Sequence, residues 1–96
     1  RFPGGRDGLK RYLRENMRYP PAEKQAGTTG KTVVGFTVTS TGKVTSINVQ
    51  RPSTNDNLDN EAKRLIREMT GWTPGTKDGR PIDVLMKETV EFNPNN

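Results

Sequence analysis

The 96-residue sequence predicts an α+β fold, a three-stranded antiparallel sheet with helices packed on one face, in the order α-β-β-α-β. Apolar residues recur at helical spacing in two segments and alternate with polar residues in three others. The turn Ser40-Thr41-Gly42 separates two of the alternating segments and indicates a hairpin. The length suits one domain, so we expect residues 1–96 to form a single unit.

The first helix is expected at about residues 6–17. Its apolar residues share one helical face: Leu9, Tyr12, Leu13 and Met17. Tyr19-Pro20-Pro21 ends this helix, because proline cannot continue a helix and disfavours α geometry in the residue before it. A short second helical piece, Ala22 to Gln25, is expected to close at Gly27.

Two strands are expected next, joined by the turn at Gly42. The first begins at Lys31 and presents alternate residues to one face: Thr32, Val34, Phe36 and Val38. The return strand is expected from Lys43 to Arg51, with Thr45, Ile47 and Val49 inward. Val44 breaks this alternation, which suggests a bulge beside the turn.

The third helix is expected to start at Asn57 as N-cap and to run to about Met69, with Gly71 as its stop. Its apolar residues form one stripe: Leu58, Ala62, Leu65, Ile66 and Met69. Trp72, the only tryptophan, follows in a turn with Pro74-Gly75. It either closes the end of the core or anchors a partner.

The last strand is expected from near Arg80, with Ile82, Val84 and Met86 on one face and a kink at Glu88. Because the hairpin already joins the first two strands, this strand should pair with the first strand and lie at an edge. Unpaired N–H and C=O groups at such an edge invite an added strand, unless Lys87 and Glu88 act as gatekeepers against aggregation. The residues alone thus predict a binding domain with an edge available for augmentation.

The composition excludes several kinds of chemistry. The chain has no histidine and no cysteine, which rules out disulfides, Cys/His zinc sites and His-dependent nucleophilic catalysis. Its carboxylates are scattered without a marked pair, so we expect neither an enzyme nor a cofactor. The chain starts at Arg1 and not at methionine, so we expect a fragment whose targeting or anchoring segment is missing.

A net charge of +5 fits nucleic acid, an anionic membrane or an acidic polymer without deciding among them. The two aromatic residues on expected strands, Phe36 and Phe92, occupy alternate positions that should face the core. Sheets that bind RNA instead stack bases on exposed aromatic residues, so we expect no nucleic-acid partner. A basic patch on the first helix keeps an anionic cell-envelope polymer open as a partner: Lys10, Arg11, Arg14 and Arg18.

A series of motifs in fixed order covers about residues 2–92. They are Phe2-Pro3-Gly4-Gly5, Tyr19-Pro20 with Gly30 eleven residues on, Val34-x-Phe36-x-Val38, Thr41-Gly42-x-Val44, Ile47-x-Val49, Leu58-Asp59-x-Glu61-Ala62, Trp72-x-Pro74-Gly75 and Gly79-Arg80-Pro81-Ile82. Each is weak singly, but together they resemble the TonB C-terminal domain family, in the version common in Bacteroidetes.

The resemblance implies a function. TonB is an energy transducer of Gram-negative bacteria, held in the inner membrane by an N-terminal helix and crossing the periplasm on a Pro-rich linker. Its C-terminal domain binds the TonB box of outer-membrane TonB-dependent receptors by strand addition. Force from the proton gradient, delivered through ExbB–ExbD, remodels the receptor plug, and iron chelates (siderophores), vitamin B12 or glycans pass through.

The resemblance also implies partner-binding residues. The docking strand is the run Ile82, Asp83, Val84, Leu85, Met86, Lys87 and Glu88. Tyr19 and Pro20 match the Tyr-Pro segment near the receptor plug, whereas Arg18 stands where enterobacterial members carry glutamine. That departure puts receptor-specific contacts in doubt. Thr41 in place of an aspartate changes only turn chemistry.

Two alternatives remain open at this point. The same domain occurs fused to BlaR-like membrane sensors and peptidases, whose partner is not clearly a receptor. An open edge could also pair with a second copy and give a homodimer that competes with the peptide.

Overall fold

The computed structural model describes residues 2–94. Its helices are α1 (Gly5–Asn16), α2 (Pro21–Ala26) and α3 (Asp56–Arg67). Its strands are β1 (Gly30–Val38), β2 (Val44–Arg51), β3 (Gly75–Lys77), β4 (Arg80–Ile82) and β5 (Val84–Phe92). None of the helices within these residues is long and apolar enough to cross a bilayer.

The main sheet has the strand order β2-β1-β5, all antiparallel, which confirms that the last strand pairs with the first and lies at an edge. The β1–β5 pairing runs without a shift from Gly30 opposite Phe92 to Val38 opposite Val84. The β1–β2 pairing contains two irregularities. β1 is therefore the central strand, with one regular and one irregular neighbour.

The hydrophobic core lies between one face of this sheet and the helices. The expected inward residues of β1 and the apolar stripe expected for the third helix are all buried, although α3 ends at Arg67 and Met69 follows it. Trp72 is 6% exposed and closes the end of the core, its ring centroid 5.3 Å from that of Phe2 and 5.6 Å from that of Phe36. Tyr12 ties α1 to α3, since its hydroxyl donates to the carbonyl of Leu65 at 2.7 Å.

The hairpin between β1 and β2 forms as expected, but the bulge lies elsewhere. Val44 faces the core opposite Val38, while Thr45, expected inward, is exposed opposite Thr37. The bulge follows at Ser46, which has a φ of 55°, and it restores the inward direction of Ile47. The prediction of which side chains face the core was therefore wrong for the first two residues of β2, Val44 and Thr45.

Asn55, and not Asn57, caps α3. The Asn55 side chain accepts a hydrogen bond from the Leu58 N–H at 3.1 Å, two residues before the expected cap. The Asn57 amide instead donates to the Glu23 carboxylate at 2.9 Å and links α3 to α2. This hydrogen bond, against the opposing effect of burial, lowers the pKa of Glu23. Sequence alone could not separate two asparagines that both suit a cap.

The last strand also differs from the expectation. β3 and β4 form a separate two-stranded hairpin through Asp78-Gly79, both with positive φ, so Ile82 pairs with Gly75 and not with β1. The predicted kink at Glu88 is absent, because β5 continues unbroken past Glu88, which lies on the core face opposite Val34.

A buried carboxylate joins three segments of the chain. Asp59 Oδ1 accepts hydrogen bonds from Thr32 Oγ1 on β1 at 2.7 Å, and from the Ser53 N–H and Oγ at 2.9 and 2.8 Å. Burial of Asp59 disfavours its charged form, but these bonds and the nearby Lys63 outweigh burial and lower its pKa. The charged carboxylate thus stabilises the loop before α3 against the central strand.

Replacement of Asp59 with asparagine should lower the free energy of unfolding by about 1–2 kcal/mol at pH 7, because charged acceptors bind more strongly than neutral ones. The pKa of Asp59 is lower in the folded state than in the unfolded state, where it is ~3.9. The charged carboxylate therefore stabilises the fold at pH values above ~3.9, and this stabilisation is lost as the pH falls through the folded-state pKa. The gap between wild type and variant should therefore shrink in urea titrations below about pH 4. Asp56→Asn, on the exposed first turn of α3, is the control. An equal gap at pH 7 and pH 2 would contradict this account.

Replacement of Gly42 with alanine should destabilise the fold more than replacement of Gly79. Both glycines have positive φ (83° and 78°), which costs about 1–2 kcal/mol for a residue with a Cβ. A Cβ at Gly42 would also lie 2.4 Å from the Trp72 carbonyl oxygen, whereas a Cβ at Gly79 meets nothing within 4 Å. Thermal unfolding of both variants measures the difference, and equal losses would show that the turn relieves the clash without cost.

Candidate functional site: the free edge of the sheet

The edge of β5 that faces away from β1 has no partner strand within residues 2–94. In an antiparallel strand, alternate residues direct their N–H and C=O groups to opposite sides. The nine residues Val84–Phe92 therefore present about half of their backbone groups along an open edge. Such a row is a template for another strand.

The side chains of β5 that point away from the core are exposed. Leu85 is 84% exposed, an unusual position for a large apolar side chain, and Lys87 and Thr89 follow it on the same face. A lysine on an edge strand limits pairing between copies of a protein. The outer face of the edge thus combines one apolar contact point with one charge.

The core-facing side chains of β5 include a carboxylate. Glu88 is buried, and its Oε2 accepts a hydrogen bond from Arg6 Nη1 at 2.9 Å, with 67% of the Arg6 side chain exposed. The first turn of α1 therefore reaches β5 and supplies the cation that lets Glu88 occupy an inward position. Glu88 is engaged within the fold, which leaves Lys87 as the exposed charge of the predicted gatekeeper pair.

Ile82 and Asp83 precede the open edge and do not lie on it. Ile82 belongs to β4, and Asp83 Oδ1 accepts a hydrogen bond from the Ser40 N–H at 2.7 Å. This bond fixes the entry to β5 against the β1–β2 turn. Of the seven residues expected to form the docking strand, the five from Val84 to Glu88 lie on the strand with the free edge.

Tyr19 lies toward the other end of β5, whereas Pro20 lines a groove beside β2 and α3, with Ile47 and Asn57. The Tyr19 ring packs edge-on against Phe92, with centroids 5.9 Å apart, and its hydroxyl donates to the carbonyl of Thr28. Burial raises the pKa of this hydroxyl, and Glu23 adds to the effect. At about 3.3 Å per residue, Phe92 is about 26 Å from Val84. The structure therefore separates the Tyr-Pro segment from the start of the free edge.

Arg18 has a fixed backbone and an exposed side chain. Its N–H donates to Glu61 Oε2 at 2.6 Å, and the same carboxylate accepts from Arg64 Nε and Nη2, both at 2.7 Å. Hydrogen bonds from Arg64 to Glu61 and Glu68 raise the pKa of Arg64. Because Arg64 Nη2 also donates to the Asn16 carbonyl at 2.9 Å, this network holds the end of α1 on α3.

A cleft of about 280 Å³ opens beside β5. It is lined by Phe2, Gly5, Arg6, Leu9, Trp72, Met86 and Glu88. Sequence reasoning did not connect the first turn of α1 with the last strand. A carboxylate at an inward position, Glu88, was the available signal, since a buried charge needs a partner.

Comparison with known proteins agrees with this geometry. Residues 15–94 match the family described as the C-terminal domain of Gram-negative bacterial TonB protein. A search of curated proteins gives no match.

Two solution structures of the Helicobacter pylori TonB C-terminal domain are similar in fold. The structure of its residues 194–285 is 24% identical, with a TM-score of 0.76, and covers 93% of this chain and 92% of its own. The structure of residues 179–285 is 21% identical, with a TM-score of 0.67, and covers 88% of this chain and 76% of its own. Because the family match spans most of the sequence, this chain belongs to the family of TonB C-terminal domains.

Proposed function

We propose that this chain is the receptor-binding domain of a TonB-type energy transducer. Its free β5 edge would bind the TonB box, a short peptide of an outer-membrane receptor, as an added strand. The observation that carries this proposal is the open edge from Val84 to Phe92, with Leu85 exposed on it. The proposed role is binding and force transfer without catalysis.

Strand addition fits the chemistry of this edge. Main-chain hydrogen bonds supply affinity that depends little on the peptide sequence, while side chains at alternate positions tune specificity. A peptide opposite Val84–Glu88 would make about five backbone contacts and could place one apolar side chain against Leu85. One domain could therefore serve several receptors with different boxes.

The remaining partners follow from the family. TonB domains act in the periplasm of Gram-negative bacteria, and we propose an inner-membrane tether through a segment outside this chain. That segment would engage ExbB–ExbD and couple the proton gradient to uptake of substrates such as siderophores. Tyr19, which packs on Phe92 at the other end of β5, would form a second contact, with the receptor plug, together with its neighbours Arg18 and Pro20.

An NMR titration of the labelled domain with N-terminal peptides of receptors from the same organism tests this proposal. We expect amide shifts concentrated on residues 84–88, since new hydrogen bonds form there, and smaller shifts on β2, which lies across the sheet. Shifts that appear on dilution without peptide would reveal self-pairing at the same edge. Shifts confined to Lys10, Arg11 and Arg14 would contradict strand addition and favour an anionic partner.

Two proline variants at neighbouring positions, Val84→Pro and Leu85→Pro, separate binding from folding. Adjacent residues direct their N–H groups to opposite sides of β5, so one variant removes a hydrogen bond to β1 and the other removes a donor from the free edge. The variant that loses a hydrogen bond to β1 should have a free energy of unfolding lower by about 1–3 kcal/mol, because an acceptor on β1 is left without its donor. The variant that loses a donor on the free edge should bind the peptide at least tenfold more weakly, while its thermal stability changes less than that of the other variant. If both proline variants fold and bind the peptide as tightly as wild type, an added strand at this end of β5 is excluded.

A further inference from the structure

The cleft beside β5 has a position and a composition that suit one side chain of an added strand. Two of its lining residues, Met86 and Glu88, are core-facing residues of β5. The others come from α1, from Phe2 and from Trp72, and none comes from β1 or β2. The cleft therefore lies on the free-edge side of β5, under α1.

The pleat of a sheet brings a side chain to this place. An added strand lies ~4.8 Å from β5, and its residue opposite Met86 points to the same face as Met86. On that face there is no further strand within residues 2–94, only the cleft between Met86 and the first turns of α1. Strand addition would thus direct one side chain in every two over the cleft opening.

The walls indicate the chemistry of the occupant. Phe2, Leu9 and Trp72 are buried apolar side chains, and Met86 packs against the same core. The ion pair of Arg6 with Glu88 bounds one end, so both of these charges are already matched. At about 280 Å³ the cleft is below the ~300–1,000 Å³ typical of small-molecule sites. An uncharged, aliphatic side chain of moderate size fits this lining.

We propose that this cleft is the specificity pocket of the domain and accepts one aliphatic side chain of the peptide that adds to β5. This inference rests on the function proposed above. Backbone pairing at the edge accepts many sequences, and the pocket selects those with an aliphatic residue at the position opposite Met86. Leu85, on the other face, contacts the neighbouring peptide residues and does not contribute to this selection.

The test uses synthetic seven-residue peptides of threonine with one central guest: leucine, alanine or aspartate. Affinities come from NMR shifts of β5 amides and from the fluorescence of Trp72, the only tryptophan in the chain. The leucine peptide should bind about tenfold or more tightly than the alanine peptide, because three additional carbons are buried. It alone should change Trp72 emission, and the aspartate peptide should bind most weakly.

Two variants locate the guest side chain. Met86→Phe narrows the cleft and should reduce the leucine-to-alanine ratio to about two or less, while Leu85→Phe, one residue away on the opposite face, should leave it unchanged. If Met86→Phe does not fold, Met86→Ala removes the same wall and should also reduce the ratio.

Each outcome decides between the two proposals. Shifts on β5 with equal affinity for the three guests would overturn the pocket and leave strand addition standing. A leucine preference that Leu85→Phe abolishes and Met86→Phe retains would place the guest on the outer face and also overturn the pocket. The absence of β5 shifts with every peptide would overturn strand addition and the pocket with it.

Discussion

A three-stranded sheet has one strand that pairs on both sides, and here that strand is β1. Its core-facing residues, from Thr32 to Val38, are all buried, and Thr32 also donates to the carboxylate of Asp59. The β2–α3 loop is fixed through that carboxylate, and α3 packs over β1 and β2. With β1 in the centre and β2 on one side, β5 has only one edge to use for folding. The other edge remains available because the chain contributes no further strand to this sheet within residues 2–94.

β5 serves the fold and the proposed interface with different groups. Its inward side chains, Val90 and Phe92, are buried in the core, and Glu88 is held by Arg6. Its outward backbone groups have no partner strand within residues 2–94. The core determines which side chains β5 can carry, whereas strand addition at the edge needs only the backbone N–H and C=O groups. Binding at such an edge therefore restricts the identity of few side chains. Selection among peptides must then come from side chains beside the edge, such as those around the cleft.

Most of the fold follows from local patterns. Alternation located β1, and the apolar stripe from Leu58 to Met69 located α3, because each pattern results directly from burial of one face. The strand order was also predicted, although a hairpin leaves an open edge on each of its two strands and local patterns do not exclude pairing of the last strand with β2. The inward and outward positions of Val44 and Thr45 did not follow, because the break in alternation at Val44 signals a bulge but not its position at Ser46.

The candidate site was only partly predictable. The edge itself and the residues from Val84 to Glu88 followed from strand order and from the family resemblance. The β3–β4 hairpin removed Ile82 from the edge, because Asp78-Gly79 has the backbone geometry of a tight turn between two short strands. The contact of Arg6 with Glu88 joins residues 82 positions apart, which no local period can indicate.

The two sides of β1 also differ in regularity, and this has a mechanical consequence. The β1–β5 ladder is unbroken over nine residue pairs, whereas the β1–β2 ladder is interrupted twice. A tension applied along a peptide strand on β5 would pass through the peptide–β5 pairing into the unbroken β1–β5 ladder, whose hydrogen bonds lie across the strands and share a load along them. The interrupted β1–β2 ladder, which has fewer consecutive pairs to share a load, lies on the far side of β1. A strand added to β5 would therefore be joined to the core through the more continuous of the two ladders.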